Sequence, residues 1–399
     1  MILNNALLLV LLVLAVASGW TLGRGGLRIS GTDRSQLPSQ YYRGFNFLLD
    51  GEEEGAVDAF TEALAVNEDT LDTHIALGSL LRKRGEVERA IRIHQSLLTR
   101  PHLTPVQLHQ SHLELARDFI AAGIYDRAEQ LLLDLISQSP EFSATAQRHL
   151  LEVYEAQRDW PAAVATAEAL VAVVERDGPA AAGHGQSVYQ LRCQYLCEQA
   201  EGAIERGDVE QATEHYELAL RDNEGDLRAR IGLSRLSLLH DDPIGALDHF
   251  EFIVSSARTC TPELLTLLAD ICSKGGKPEL HLDLLRRYYV QQPSSLLALE
   301  LASALEAAEG QDKAREFLRE TLRDQSSVSV AASLLIRDDL RDSQSLPEFD
   351  VLRRLVDADS GYRCGHCGFT GAQRHWRCPG CRHWDSNHYL GNAGDAAGV

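Results

Sequence analysis

The chain has 399 residues and a formal net charge of −20, with 58 acidic side chains against 38 Lys and Arg. A chain of this length holds more than one domain, and its acidic balance argues against a general nucleic-acid-binding protein, which presents a basic face. Strong helix formers such as Ala, Leu, Glu and Arg dominate, which predicts a mainly helical body.

Residues 1–23 form an apolar segment without a charged side chain. A helix needs about 20 such residues to cross a bilayer. Three arginines follow the segment and nothing basic precedes it, which predicts an uncleaved transmembrane anchor with the bulk of the chain in the cytoplasm. The alternative is a cleaved signal peptide, because Ala15-Val16-Ala17 resembles a small-residue cleavage site. A short polar linker is expected over 24–40.

Helix–turn–helix repeats are predicted over residues 41–325. In the segment 73–101, Gly78 lies in a first helix, Gly85 in the turn and Ala90 in a second helix. Equivalent positions recur in steps of 33 to 38 residues with one step of 49, and they are Ala56, Ala90, Ala128, Ala163, Ala212, Ala246, His281 and Ala314. This period is typical of the tetratricopeptide repeat (TPR), whose paired helices approach closely where small residues face each other. His281 departs from the pattern.

The regular spacing is interrupted twice. The long step contains a Gly- and Ala-rich stretch at 177–186, which is predicted to be a flexible insertion. Beyond residue 325 the pattern fades, and 326–360 are predicted to form a degenerate repeat or capping helices.

TPR arrays generally bind proteins in a groove lined by the first helix of each repeat. The usual register places Ser79, Arg82, Lys83 and Arg117 on that face, although these side chains are equally compatible with a solvated surface. The histidines are scattered without a nucleophile or carboxylate set at a motif spacing, so no catalytic site is predicted. The four cysteines of the helical body are expected to be small buried residues: Cys193, Cys197, Cys260 and Cys272.

Two C-x-x-C pairs lie in the C-terminal segment 361–390, which precedes a tail at 391–399 that is expected to be flexible. Four thiolates at this spacing favour one tetrahedral metal ion, Zn(II) or a single Fe, and leave no open position for a hydrolytic water. A ribbon this small depends on the metal for folding. Gly365, Gly368 and Gly380 suit the turns, while His366, His375 and His383 are expected at the surface.

The remaining side chains of the ribbon suggest how it is held. Tyr362, Phe369, Trp376 and Trp384 are expected to pack around the metal or to dock the ribbon onto the repeats. Arg363, Arg374, Arg377 and Arg382 make this end basic, which would attract either nucleic acid or the acidic repeats behind it.

An anchor, a TPR array and a terminal four-Cys ribbon in this order resemble one bacterial family, lipopolysaccharide assembly protein B (LapB, also called YciM). The similarity covers essentially the whole chain and is sharpest in the segments YYRGFNFLL, RGEVERAIRIHQSLL, AAGIYDRAEQLL and YRCGHCGFTGAQRHWRCPGCRHW. The insertion at 177–186 and the irregular later repeats depart from the family pattern. The resemblance implies an all-α TPR superhelical solenoid with an N-terminal transmembrane helix and a rubredoxin-like metal ribbon that packs against the repeats.

The resemblance also implies a role. Family members are inner-membrane adaptors without enzyme activity that bring the lipid A deacetylase (LpxC) to the membrane AAA protease FtsH for degradation. They associate with other lipopolysaccharide assembly membrane proteins, and self-association is left open. The metal ligands would be Cys364, Cys367, Cys378 and Cys381. Two alternatives stay open, namely a rubredoxin-like redox protein and a TPR scaffold for another envelope assembly.

Overall fold

A computed structural model describes residues 71–100, 103–178, 186–256, 260–324, 327–337 and 361–391, with five single residues between 43 and 59. The predicted anchor at 1–23, the linker at 24–40, most of the repeat around Ala56 and the tail from 392 onward lie outside the described residues. Of the predicted capping region, only 327–337 is described. Among the described helices, none combines the length and the apolar character that a bilayer crossing demands.

The chain divides after Leu103 into two compact units. In the first unit, α1 (Leu71–Lys83) and α2 (Val87–Leu98) form one antiparallel pair. The second unit contains, within its described residues, α3 (Pro105–Ala121), α4 (Tyr125–Gln138), α5 (Pro140–Gln157), α6 (Trp160–Asp177), α7 (Val188–Glu205), α8 (Val209–Asp222), α9 (Leu227–Leu239), α10 (Pro243–Ser256), α11 (Pro262–Lys274), α12 (Pro278–Gln291), α13 (Ser295–Glu309), α14 (Gln311–Asp324) and α15 (Val328–Arg337). Each of these helices packs against the next along the chain.

Local sequence explains where the helices begin and end. Thr104 forms a reciprocal capping box with Gln107 ahead of Pro105, and Asp208 and Asp226 accept hydrogen bonds from backbone amides of the first turns that follow them. Most turns between the described paired helices contain a glycine with positive φ, such as Gly85 at +86°, and Arg158 and Asp241 take this position in two others. Such a backbone costs glycine little, so the second helix can fold back at once.

The small residues predicted at the helix crossings are buried. The six alanines of the described repeats have no exposed surface, and these are Ala90, Ala128, Ala163, Ala212, Ala246 and Ala314. A Cβ at Gly78 would lie 2.5 Å from the ring of His94, so the first pair closes only around glycine at this position. The exception is His281, which is partly exposed and whose pKa is lowered by burial, so the neutral imidazole is the form that packs there.

The C-terminal ribbon contains β1 (Tyr362–Cys364), β2 (Thr370–Gly371) and β3 (Asn387–Tyr389), which form an antiparallel sheet in the order β2-β1-β3. Tyr362 lies opposite Gly371 on one side and Tyr389 on the other. A further antiparallel bridge joins Arg377 to Trp384 across the second pair of cysteines. The helical body with a C-terminal cysteine ribbon therefore agrees with the sequence prediction over the described residues.

Candidate metal centre and its contacts with the repeats

The four ribbon cysteines lie together, with all Sγ atoms within 4.8 Å of one another. The Sγ atoms of Cys364 and Cys381 are 3.6 Å apart, and those of Cys367 and Cys378 are 3.7 Å apart. A tetrahedral ion with metal–sulfur bonds of about 2.3 Å requires sulfur–sulfur edges of about 3.8 Å. The four thiols therefore fit one ion of the S₄ type, which both zinc and iron accept.

Two matching turns hold these cysteines. In each turn, the backbone N–H of the first cysteine donates to the carbonyl five residues ahead, and the N–H four residues ahead donates to that cysteine's carbonyl. The residue four positions after the first cysteine has a left-handed backbone, with φ of 78° at Gly368 and 60° at Arg382. The backbone angle thus favours glycine in the first turn, whereas an arginine adopts the same left-handed region at some strain in the second.

The other two predicted turn glycines have a different role. Neither Gly365 nor Gly380 has a positive φ. A Cβ at Gly380 would lie 3.3 Å from the Sγ of Cys367, and one at Gly365 would lie 3.3 Å from the ring of His388. Close approach, rather than backbone angle, favours glycine at both positions.

The surroundings of the thiols differ in their effect on protonation. The hydroxyl of Ser386 lies 3.3 Å from the Sγ of Cys364 and lowers the pKa of that thiol to about 5, which favours the thiolate that a metal binds. Desolvation raises the pKa of Cys381 to about 12. A cation bound between the sulfurs would overcome this effect, because a coordinating thiol is deprotonated outright.

The ribbon histidines lie outside the four-sulfur set. His366 is exposed, and His375 and His383 are partly exposed, as the sequence suggests. The rings of His366 and His383 stack at 3.8 Å between centroids beside Cys381. Stacked parallel rings direct their nitrogen lone pairs side by side, so this arrangement is poorly suited to hold one ion between them.

Glu155 of α5 accepts hydrogen bonds from both the repeats and the ribbon. Its carboxylate oxygens lie 2.6 Å from the guanidinium of Arg377, 2.9 Å from the indole Nε1 of Trp384 and 2.6 Å from the hydroxyl of Tyr195. Both Trp384 and Tyr195 are buried, so their polar hydrogens need this acceptor. One carboxylate therefore fixes the second cysteine turn against α5 and α7.

A second contact involves the main chain of the ribbon. The side-chain amide of Gln186 donates to the carbonyl of Trp384 at 2.9 Å, and its oxygen accepts from the Trp384 N–H at 3.0 Å. Arg148 of α5 in turn donates to the Gln186 carbonyl at 3.1 Å. Gln186 is the last residue of the predicted insertion, so this end of the insertion is a fixed contact rather than a flexible one.

Aromatic side chains fill the space between ribbon and repeats. The ring of Trp384 meets the rings of Trp160 and Tyr195 edge-on, at 6.0 and 6.1 Å between centroids. The guanidinium of Arg228 lies 5.7 Å from the Trp376 ring and 5.8 Å from the Trp384 ring. Such contacts of a cation with desolvated rings are attractive.

Arg228 itself is almost fully buried, with 3% of its surface exposed. It also pairs with Glu198 at 2.6 Å and with Glu201 at 2.9 Å. These carboxylates balance the charge of Arg228, so its buried guanidinium can pack against the aromatic rings of the ribbon.

A third contact lies at the sheet of the ribbon. The Tyr362 hydroxyl donates to Glu263 of α11 at 2.6 Å, and the Arg374 guanidinium lies 3.9 Å from the same carboxylate. Two of the four predicted basic side chains, Arg374 and Arg377, thus face acidic residues of the repeats, whereas Arg363 and Arg382 are exposed. The predicted attraction between basic ribbon and acidic repeats is confirmed for that pair.

The predicted groove residues all lie on first helices of their pairs. Ser79, Arg82 and Lys83 are on α1, where Arg82 donates to the Ser79 hydroxyl at 3.3 Å. Arg117 is on α3 and pairs with Glu114 at 2.7 Å. No bound protein tests their role, so the groove stays a prediction.

The cysteines of the helical body are mostly buried, as expected. Cys193 and Cys197 have no exposed surface and lie beside Asp226, while Cys260 is partly exposed. Burial and the neighbouring Asp226 raise the pKa of the Cys197 thiol. Asp226 already caps α9 and accepts from Gln194 at 3.0 Å, so this group is packed and hydrogen-bonded rather than arranged for an ion.

Sequence reasoning identified the docking aromatics and the cysteines but missed their partners. Glu155, Gln186 and Arg228 occupy ordinary repeat positions, and their residue types are common on helix surfaces. The spacing of the repeats held no signal that singled them out.

The comparisons with known proteins agree with this geometry. The model of a rubredoxin metal-binding domain matches residues 362–386, and two models of the tetratricopeptide repeat match residues 73–104 and 113–182. Lipopolysaccharide assembly protein B of Escherichia coli strain K12 is 30% identical over 387 residues, which cover 95% of this chain and 97% of that protein. The chain belongs to the lipopolysaccharide assembly protein B family.

Another member of the family has the same extent. Lipopolysaccharide assembly protein B of Haemophilus influenzae is 30% identical over 397 residues, covering 95% of this chain and 97% of that protein. Among solved structures, a tetratricopeptide repeat protein of Parabacteroides merdae is 13% identical, covers 67% of this chain and 99% of that protein, and superposes with a TM-score of 0.34. The family assignment rests on the sequence relatives.

Proposed function

We propose that this protein is a non-enzymatic, single-pass adaptor of the bacterial inner membrane, with most of its chain facing the cytoplasm. It brings the lipid A deacetylase to the protease FtsH, so that degradation of the deacetylase limits lipopolysaccharide synthesis. The observation that carries this proposal is the 30% identity to lipopolysaccharide assembly protein B over 95% of the chain. The TPR repeats support it, since helical repeats of this kind are protein-binding scaffolds.

The mechanism we infer is proximity. The anchor predicted over 1–23 holds the protein beside a membrane-embedded protease, and the repeats hold the substrate. Joining two binding events on one scaffold raises the effective concentration of substrate at the protease to the millimolar range without any new contact between them. The adaptor then needs no covalent chemistry of its own.

The ribbon has a structural role in this proposal. All four ligand positions would be filled by the cysteines, which leaves none for substrate or water. The metal would supply the free energy that folds the ribbon, and the ribbon contributes Arg377, Trp384 and Tyr362 to the packed face of the repeats. A redox role would instead require reversible oxidation of a bound iron, and metal analysis with voltammetry would detect it.

Depletion tests the proposed function. Deacetylase abundance, followed by immunoblotting after translation is stopped, is expected to rise several-fold in depleted cells because its degradation slows. Re-expression of the full-length protein restores rapid loss, and the comparison is repeated in cells with inactive FtsH, where depletion should change nothing further. An unchanged deacetylase half-life on depletion would refute the adaptor role.

A further inference from the structure

An open cleft of about 340 Å³ lies within the second unit, where the ribbon meets the helices. Its walls come from the end of α3, the start of α4, one face of α5, the start of α7 and the second cysteine turn. This volume is at the lower end of the range of about 300 to 1,000 Å³ that is usual for ligand pockets. The cleft can therefore take a few side chains but not a folded domain.

The charges around the cleft are mostly positive. Three guanidinium groups line it, from Arg148, Arg377 and Arg382, together with the imidazole of His383. Two carboxylates also line it: Glu155 is bound by Arg377 at 2.6 Å, and Glu152 lies 3.0 Å from His149 at the exposed edge and interacts electrostatically with Arg148. The cleft thus has more cationic than anionic side chains, although the chain as a whole has a net charge of −20.

Arg382 is the most accessible of these cations. It is exposed, and it has no carboxylate within 4.0 Å among the residues that the structure describes. Its position is set by the cysteine turn, because its N–H donates to the Cys378 carbonyl at 2.9 Å. The guanidinium is thus carried on a fixed backbone at the edge of the cleft.

Part of the remaining lining is apolar. Ile120 and Tyr125 are partly exposed and contribute apolar surface, while Leu151, Leu191 and Tyr195 are buried behind them. Apolar walls beside a few placed charges are the usual composition of a site that selects a ligand with both features. A purely ionic ligand would leave this apolar surface in contact with water.

We propose that this cleft binds a short segment of a partner protein in which acidic side chains alternate with apolar ones. An acidic side chain pairs with Arg382 at the rim and another lies near Arg148, while an apolar side chain packs against the partly exposed Ile120 and Tyr125. The inference deepens the adaptor function proposed above by naming the chemistry of a segment that the adaptor recognises.

The metal centre forms one wall of the cleft. Cys381 lines it directly, and the turn that carries Cys378 and Cys381 also positions Arg382 and His383. Loss of the metal would release this turn, so the cleft should bind its segment well only when the ribbon is metal-loaded. The ribbon would then be part of the recognition surface.

A defined peptide tests the proposal. The probe is a fluorescein-labelled, amidated octapeptide of alternating leucine and glutamate between Gly-Ser ends, titrated with full-length, metal-loaded protein in detergent and followed by anisotropy. The matched peptide has glutamine in place of glutamate. Arg382→Glu is expected to weaken binding at least about tenfold, since it reverses the accessible charge. Arg363→Glu, on an exposed strand position of the same ribbon outside the cleft, should change affinity less than about twofold.

A variant with the opposite expectation separates recognition from misfolding. Glu152→Gln removes a negative charge at the rim and should tighten binding by roughly threefold, which no damage to the fold would do. Chelation of the metal should abolish the signal. The proposal is overturned if the glutamate peptide does not bind at millimolar concentration, if the glutamine peptide binds as well, or if Arg363→Glu and Arg382→Glu behave alike.

The peptide measurement and the depletion experiment can contradict their hypotheses separately. If the peptide does not bind while depletion still stabilises the deacetylase, the adaptor role stands and the cleft is not its recognition site. If the peptide binds as expected while the half-life of the deacetylase is unchanged on depletion, the cleft recognises a segment but the proposed partner is wrong.

Discussion

At the scale of single residues, Glu155 joins the ribbon to the repeats through three donors. The carboxylate is largely buried, with 11% of its side chain exposed, and so is Trp384, whose indole N–H has no alternative acceptor among the described residues. Removing one member of such a pair leaves a desolvated cation and buried polar hydrogens without partners. A position that looks ordinary in sequence therefore has a large energetic effect.

We expect Glu155→Ala to lower the free energy of unfolding by about 3 kcal/mol, because it leaves the buried polar hydrogens of Trp384 and Tyr195 without an acceptor and removes the carboxylate that pairs with Arg377. Urea denaturation monitored by tryptophan emission measures this, since three of the four tryptophans (Trp160, Trp376 and Trp384) lie at the contact. Glu129→Ala is the matched control. Glu129 accepts one hydrogen bond, from Tyr154 at 2.8 Å, so its loss should cost about 1 kcal/mol. Equal losses in the two variants would contradict this account.

At the scale of elements, the two cysteine turns share one hydrogen-bonding pattern and differ in the residue at the left-handed position. Gly368 adopts a positive φ at little cost, while Arg382 does so with strain. A metal ion bound by Cys378 and Cys381 would offset that strain. The second turn, which also carries the contacts to Glu155 and Gln186, should therefore depend more on the ion than the first.

We expect Cys364→Ser to reduce the metal content measured by inductively coupled plasma mass spectrometry below one ion per chain. A hydroxyl is a poor substitute for a thiolate, and the ribbon has little core without its ion. Emission from Trp376 and Trp384 should shift to longer wavelength as the ribbon loosens. Cys272→Ala removes a buried thiol of the repeats instead, and should leave metal content and emission unchanged. Full metal occupancy in Cys364→Ser would disprove the ligand assignment.

The elements themselves were largely predictable from sequence. Small residues at a regular period fixed the helical pairs, since Ala90, Ala128 and Ala212 have no room for a larger side chain. The cysteine spacing predicted the cluster of four thiols for a similar reason, because the two C-x-x-C turns are local features of the chain. The docking of the ribbon was not predictable in detail, since Glu155 and Trp384 are 229 residues apart and no local pattern links them. Gln186 was predicted to end a flexible insertion for the same reason, since its partner Trp384 lies 198 residues further along the chain.

At the scale of the whole molecule, the ribbon and the helices of the second unit are held together at two separated places. Glu155 on α5 and Gln186 before α7 both bind Trp384, and Glu263 on α11 binds Tyr362 in the sheet. Because these contacts span helices far apart in sequence, the ribbon links repeats that otherwise contact only their neighbours. We infer that loss of the metal would weaken the repeats as well as the ribbon.

Removal of residues 1–23 tests the anchor at this scale. The shortened chain is expected to be soluble and folded, with an unchanged metal content, because the contacts described here all lie beyond that segment. Under the proposed adaptor function, it should restore deacetylase turnover poorly in depleted cells, since the predicted anchor would no longer concentrate the protein at the membrane. The half-life of the deacetylase measures this. Full restoration by the shortened chain would mean that the anchor is dispensable.

The paired hydrogen bonds of Gln186 have one further consequence. They bind the carbonyl and the N–H of residue 384 and make no use of its side chain, whereas Glu155 binds its indole nitrogen. A substitution at position 384 therefore leaves the hydrogen bonds to Gln186 in place but removes the one that the indole donates to Glu155. Over evolutionary time, Glu155 and Trp384 should change together or not at all, while Gln186 can persist opposite almost any residue.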